Sequence, residues 1–167
     1  MAKHFSKNGE ILPDDQAVVS LDDIAYGYGY GVYETIRVAR GIPYFVNEHI
    51  DRLMGSAKTI ELEHTFSEEF VLKGISDLIH QDNIETSNLK ILLIGGRTAD
   101  EATLYIQAHN PLFPDRKLYK TGVHCITERY ERLYGGVKLS YWQFVRQLIQ
   151  RCQLVFRNRQ YLELAQA

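Results

Sequence analysis

Lys138 and Arg52 are the first two candidates for chemistry in this sequence, one as a reactive amine and the other as an anion-binding group. Lys138 follows the run Gly135–Val137. A lysine amine in a partly apolar pocket loses its proton more easily, because burial disfavours the ammonium form, and it can then act as a nucleophile. Arg52 lies within Glu48–Leu53, and its planar guanidinium suits the oxygens of phosphate or carboxylate. Taken singly, either residue is more typical of an exposed side chain.

Upstream of Arg52, glycines and tyrosines alternate over Tyr26–Gly31. A dinucleotide-binding loop needs a strand before the glycines and a helix after them. Here a strand-like pattern follows instead, with Val32, Glu34, Ile36 and Val38 alternating against more polar positions. The pattern therefore disfavours a dinucleotide site, and the interpretation that the residues alone support is a tight aromatic turn.

The periodicity along the chain predicts an α/β alternation of strands and helices. Asn8–Gly9 is typical of a tight hairpin turn between two short extended segments. One helix is expected to be capped by Asn47 and a second to start near Ser67, slightly weakened by Gly74. The predicted strands are Val32–Ala39 with its return strand Ile42–Phe45, then Leu89–Ile94 and Ala102–Ala108.

The segment Asn110–Asp115 is the best candidate for a domain boundary, because its two prolines oppose regular structure. We expect an N-terminal α+β domain over residues 1–110, a linker over 111–118 and a partial second domain over 119–167. In the latter, Tyr119–Thr127 predicts a strand and Gln143–Cys152 a helix. These elements are too few to bury a sizeable core alone.

Three features together resemble the first half of the class IV (fold-type IV) pyridoxal-phosphate-dependent aminotransferases: Tyr26–Arg37, Asn47–Leu53 and Lys138. The spelling Gly-Val-Tyr-Glu at residues 31–34 is closest to the D-amino acid aminotransferase branch. The resemblance implies a two-domain class IV aminotransferase-like α+β fold with the second domain incomplete, since the chain ends soon after Lys138. It also implies pyridoxal phosphate as cofactor and a homodimer as the assembly.

The same resemblance assigns roles to five residues. Lys138 would form the Schiff base with the cofactor, and Arg52 would hold the cofactor phosphate. Glu163 matches the carboxylate that bonds the pyridine nitrogen. Tyr33 matches the tyrosine that contacts the substrate carboxylate, and Arg97, beside glycines at a strand end, would be a second carboxylate anchor.

The reaction implied by the resemblance is transamination between an amino acid, of the D- or branched-chain type, and a 2-oxo acid. The related aminodeoxychorismate lyases share the fold, the cofactor and the lysine, so a lyase reaction stays open. A third possibility is a non-catalytic remnant of the family that keeps the first domain, because the chain lacks the rest of the family's second domain.

Composition limits the partners and the compartment. The 167 residues carry a net charge of −2, which gives no electrostatic reason to expect nucleic acid or an acidic membrane surface. The longest apolar run, Ile91–Ile94, is far too short to span a bilayer. Cys125 and Cys152 have no metal-ligand spacing and do not make a disulfide framework, so we expect no metal site and a cytoplasmic location.

Overall fold

A computed structural model describes residues 3–19, 26–27, 29–111, 113 and 115–122. The described residues up to Phe113 form one compact unit, whereas residues 115–122 belong to a second, and each is treated by itself. The elements of the first unit are β1 (His4–Lys7), β2 (Glu10–Pro13), β3 (Gly31–Ala39), β4 (Ile42–Pro43), α1 (Val46–Thr59), α2 (Glu68–Gln81), β5 (Thr86–Ile94) and β6 (Thr103–His109).

The six strands form one antiparallel sheet in the order β2-β1-β6-β5-β3-β4. The predicted hairpin at Asn8–Gly9 is confirmed, since both residues have positive φ, as a two-residue turn of this kind requires. The Asn8 side chain also accepts a hydrogen bond of 2.8 Å from the Leu104 N–H. This bond ties the N-terminal hairpin to β6.

Helices α1 and α2 pack on one face of the sheet and enclose the core. Along β3 the residues that face the helices are fully buried, as the alternating pattern predicted. The predicted start of α2 is confirmed: the Ser67 side chain caps the helix by accepting from the Phe70 N–H at 3.2 Å. Gly74 is buried, and a Cβ there would lie 2.9 Å from Cδ1 of Ile106. Its low helix propensity is therefore offset by close packing of α2 on the sheet.

Two predictions around α1 are wrong in detail. The helix begins at Val46 and its N-cap is Phe45, with no side-chain capping bond, so Asn47 lies inside the first turn. The reason is the preceding turn, in which Phe45 adopts a left-handed backbone with φ of 53° and leads straight into the helix. The predicted return strand Ile42–Phe45 is likewise reduced to Ile42–Pro43, so on that side only Val38 and Ala39 of β3 are paired with a strand that the structure describes.

The prediction of a strand from Tyr119 is also wrong. Among residues 115–122, Arg116–Thr121 forms helix α3, which begins inside the segment expected to be a linker. Asp115 starts it by accepting a hydrogen bond of 2.8 Å from the Lys117 N–H. The rest of Tyr119–Thr127 and all of Gln143–Cys152 lie outside the described residues. No helix in the described ranges is long and apolar enough to cross a bilayer.

The N-terminal strand is anchored to the end of α2 by Asp82. Its Oδ2 accepts from the backbone N–H groups of Lys3 and His4 at 2.6 and 3.0 Å, and its Oδ1 lies 2.5 Å from Nδ1 of His4. Burial alone would raise the pKa of Asp82, but these hydrogen bonds outweigh it and hold the pKa below the ordinary value of 3.8.

This anchor predicts an acid-sensitive contribution to stability. A carboxyl with a depressed folded-state pKa stabilises the fold above its unfolded-state pKa, and the contribution is lost as pH falls through the folded-state value. We expect Asp82→Asn to lower the free energy of unfolding by about 1–2 kcal/mol at pH 5 and by clearly less at pH 3. Urea unfolding of both proteins at the two pH values measures this, and an equal difference at both would contradict the anchor.

Candidate active site

The site is built around a carboxylate that β3 carries into the core. Glu34 alternates with Val32 and Ile36 on the face covered by the helices, and it is 0% exposed. An ionised carboxylate in such a place needs hydrogen bonds and an opposite charge, because desolvation otherwise makes burial very costly. The partners come from α1.

Arg52 and His49 supply those partners. The guanidinium binds the Glu34 carboxylate through two hydrogen bonds, Nε to Oε1 at 2.5 Å and Nη2 to Oε2 at 2.6 Å. Nδ1 of His49 lies 2.9 Å from the same Oε2. The two residues are three positions apart on a helix and therefore share one face. We refer to these three residues as the Glu34 cluster.

Arg52 combines a fixed position with access to solvent. Hydrogen bonding to Glu34 is the main cause that raises the pKa of Arg52 above its ordinary value, although partial burial opposes it, so the side chain stays a cation. Its described hydrogen bonds to Glu34 use Nε and Nη2, and half of the side chain remains exposed. The rest of the guanidinium can therefore meet an external anion while Glu34 holds it in place.

The other face of the sheet carries Tyr33, Thr35 and Arg37, because neighbours along a strand point to opposite sides. Nζ of Lys90 lies 5.8 Å from the centre of the Tyr33 ring, and the guanidinium carbon of Arg37 lies 5.2 Å from the centre of the Phe113 ring. Both distances are within the range of cation–π attraction.

A cavity of about 330 Å³ lies at the edge of the sheet beside β3. It is lined by Thr35, Arg37, Ala39, Tyr44, Phe45 and His49. His49 therefore borders this cavity and also belongs to the Glu34 cluster. The cavity therefore lies between the start of α1 and the side chains of Thr35 and Arg37 on β3.

A family comparison identifies the family of the chain. The model of the family "Amino-transferase class IV" matches residues 31–139, which is well over half of the chain. The chain belongs to the class IV aminotransferase family. The matched residues of this class IV aminotransferase chain include β3, all of α1 and Lys138, whereas Glu163 lies beyond them.

The curated relatives that match include D-alanine aminotransferases. The protein of Staphylococcus aureus (strain N315) is 32% identical over 131 residues, which is 78% of this chain and 43% of the relative. The protein of Listeria monocytogenes serotype 1/2a (strain 10403S) is 35% identical over 89 residues, 53% of this chain and 31% of the relative. The class IV aminotransferase chain thus spans less than half the length of these relatives.

Solved structures show the same fold. Branched-chain amino acid aminotransferase from Escherichia coli superposes with a TM-score of 0.61 at 24% identity, covering 66% of this chain and 40% of that one. The T.th. branched-chain enzyme, complexed with N-(5'-phosphopyridoxyl)-L-glutamate, gives 0.59 at 23% identity, covering 65% and 41%. The expected class IV aminotransferase-like α+β fold is confirmed.

The structure describes three of the five residues assigned from the sequence. Arg52 lies in the Glu34 cluster, and Tyr33 lies half-buried on the opposite face of β3. Arg97 is exposed in the loop after β5, where its main-chain N–H donates to Oε2 of Glu101 at 2.9 Å. Lys138 and Glu163 lie outside the described residues, so their roles stay predictions.

Glu34 is the residue that sequence reasoning missed. The signal was present, because Glu34 stands at a position where its alternating neighbours are all apolar. An acid on a core-facing position requires a partner. A cation on the following helix, brought by docking of α1 against the edge of the sheet, meets that requirement.

Proposed function

We propose that this chain carries the phosphate-binding and substrate-binding part of a pyridoxal-phosphate-dependent aminotransferase acting on a D-amino acid and a 2-oxo acid. The observation that carries the proposal is the buried Glu34, which holds a half-exposed Arg52, while its other partner His49 borders a cavity. The relatives named above are aminotransferases, which favours transamination over a lyase reaction.

The residues present fit the cofactor's phosphate. A phosphate dianion needs a fixed cation and spare N–H groups, and Arg52 offers both once its Nε and one terminal nitrogen are bound to Glu34. Structures of the T.th. branched-chain enzyme contain a phosphopyridoxyl compound or pyridoxamine 5'-phosphate, which supports this cofactor class for the fold.

Each residue then has a defined task. When bound, the cofactor supplies an electron sink for the pair released at the substrate α-carbon. Lys138 would hold the cofactor through Nζ and would move the proton at that carbon. Tyr33 would donate its O–H to the substrate carboxylate, and Glu163 would hold the pyridine ring of the cofactor through its nitrogen. A homodimer in the cytoplasm is part of the same proposal.

The test is cofactor binding by the full chain. We expect added pyridoxal phosphate to develop a visible absorbance band distinct from that of the free compound. Borohydride should then trap a covalent adduct, which peptide mass spectrometry places on Lys138. No adduct at excess cofactor would overturn the proposal and favour a non-catalytic module of the family instead.

A further inference from the structure

The turn between β1 and β2 consists of an asparagine followed by a glycine. Asn8 and Gly9 are both exposed, and their φ angles are 50° and 82°. A two-residue turn of this kind needs positive φ at both positions, which asparagine and glycine adopt at little cost. A Cβ at residue 9 would also lie 2.8 Å from Cζ of Phe70. The turn therefore requires glycine directly after Asn8.

An asparagine followed by a glycine has a chemistry of its own. The main-chain nitrogen of the glycine can attack the side-chain carbon Cγ of the asparagine, which forms a five-membered succinimide ring and releases ammonia. Water then opens the ring at one of its two carbonyl carbons, so the product is aspartate or isoaspartate. The two steps together consume one water and release one ammonia. Glycine allows the attack because it has no side chain to hinder it.

In the folded chain the turn holds the two reacting atoms apart. Ring closure requires the Gly9 nitrogen and the Cβ of Asn8 to lie on the same side of the bond between Cα and C of Asn8. A left-handed residue has ψ of about +47°, which for an L-residue places that nitrogen nearly opposite Cβ. The backbone of the turn must therefore rotate before the ring can close.

Two hydrogen bonds to β6 oppose that rotation. The Asn8 N–H donates to the Leu104 carbonyl at 2.8 Å, and the Asn8 Oδ1 accepts from the Leu104 N–H at 2.8 Å. The side-chain amide that must react is thus one of the groups that fasten the hairpin to β6. Reaction at Cγ requires this bond to be released.

We propose that Asn8 is a site of spontaneous deamidation, protected while the β1–β2 hairpin is bound to β6 and reactive when the hairpin is released. The reaction needs only water and is independent of the proposed function.

The two products differ in their effect on the hairpin. Aspartate at position 8 keeps an oxygen that accepts from the Leu104 N–H. Isoaspartate adds one carbon atom to the main chain, so a two-residue turn no longer matches the pairing of Lys7 with Glu10. Isoaspartate therefore makes the release of the hairpin permanent.

The test compares the full chain folded and unfolded in guanidinium chloride, at the same mildly alkaline pH. Peptide mass spectrometry, with chromatographic separation of aspartate from isoaspartate, measures each asparagine. Asn83 is the matched control within the chain, because it is exposed and has φ of 48° but precedes the branched Ile84. We expect Asn8 to react at least about tenfold faster than Asn83 in the unfolded chain, since only glycine leaves the attacking nitrogen unhindered.

Folding should slow the reaction of Asn8 at least about tenfold, because only released molecules react. This slowing should be no smaller than the slowing of hydrogen exchange at the Leu104 amide, since both processes require the same hydrogen bond to break. Exchange is measured by NMR on the folded chain.

The products give a second measurement. Asn8→Asp should leave hydrogen exchange at Leu104 within about threefold of the parent, whereas the purified isoaspartate form should exchange at least about tenfold faster. The inference is overturned if Asn8 and Asn83 react equally in the unfolded chain, or if folding slows Asn8 less than it slows exchange at Leu104. It is also overturned if the isoaspartate form exchanges at the rate of Asn8→Asp.

Discussion

Replacing Arg52 with alanine is expected to lower the free energy of unfolding by about 2–3 kcal/mol, more than is usual for a half-exposed helix arginine. The change removes two hydrogen bonds and the compensating charge from Glu34, which is fully buried. Water can partly enter the space that Arg52 leaves, so the cost stays below that of breaking a fully buried ion pair.

The Glu34 cluster also predicts that removing the acid lowers stability less than removing the arginine. In Glu34→Gln the partner left behind is Arg52, which is half exposed and can be solvated, so we expect a loss of only about 1 kcal/mol. Urea unfolding of both variants measures the difference, with Lys58→Ala on the same helix as a control expected within about 0.5 kcal/mol of the parent. Equal losses for the two variants would show that Glu34 is not held as a buried anion.

Replacing Arg52 with alanine should also weaken the binding of the cofactor. A charge-assisted contact to phosphate contributes about 1.5–3 kcal/mol, which is roughly tenfold to a hundredfold in affinity. Because Arg52→Ala is also expected to be less stable, pyridoxal phosphate should be titrated without urea, at a temperature where circular dichroism shows that the variant is folded. Unchanged affinity would remove Arg52 from the phosphate site.

Replacing Lys138 with alanine is expected to abolish the covalent cofactor adduct completely and to reduce any transamination by at least about 10²–10⁴-fold. The physical reason is that, in the proposed function, the Lys138 amine is the group that holds the cofactor and carries the α-carbon proton, and alanine has no amine. Borohydride trapping followed by mass spectrometry measures the adduct, and amino-group transfer to a 2-oxo acid measures the rate.

Lys120→Ala provides the control, since Lys120 is an exposed lysine of α3. It should keep both the adduct and the rate. Urea unfolding should be the same for Lys138→Ala and the parent chain in its cofactor-free form. An adduct that persists in Lys138→Ala would mean that another lysine carries the cofactor and that Lys138 has been misassigned.

Local sequence patterns predicted the secondary-structure elements well where the signal is clear, as in an alternation of apolar residues or a capping residue. The alternation along β3 identified its buried face, and Ser67 identified the start of α2. The predictions were less accurate where tertiary contacts decide at which residue an element begins and whether it is a helix or a strand. Phe45, in a left-handed turn, starts α1 in place of Asn47, and Asp115 caps a helix where Tyr119 suggested a strand.

The candidate site also combines a residue that the sequence identified with a tertiary contact that it did not. Arg52 was identified through its resemblance to the family's motif, which named no partner for its guanidinium. The real partner, Glu34, is 18 positions earlier and meets Arg52 only because α1 docks beside β3. Helical periodicity contains no information about that docking, so the sequence could place the arginine but not the carboxylate that orients it.

The strand order in the sheet also determines the order in time in which its strands can assemble during folding. β3, β4 and α1 are consecutive, and β5 and β6 form a hairpin, so both groups can form from nearby contacts. The first hairpin joins β6 across 96 positions, as in the bond from Leu104 to Asn8. Closing so long a loop slows folding. We therefore expect the β1–β2 hairpin to dock last, after residue 109 has been synthesised. Until then the edge of β6 that later pairs with β1 is unpaired, and it can pair with strands of other chains and so promote aggregation.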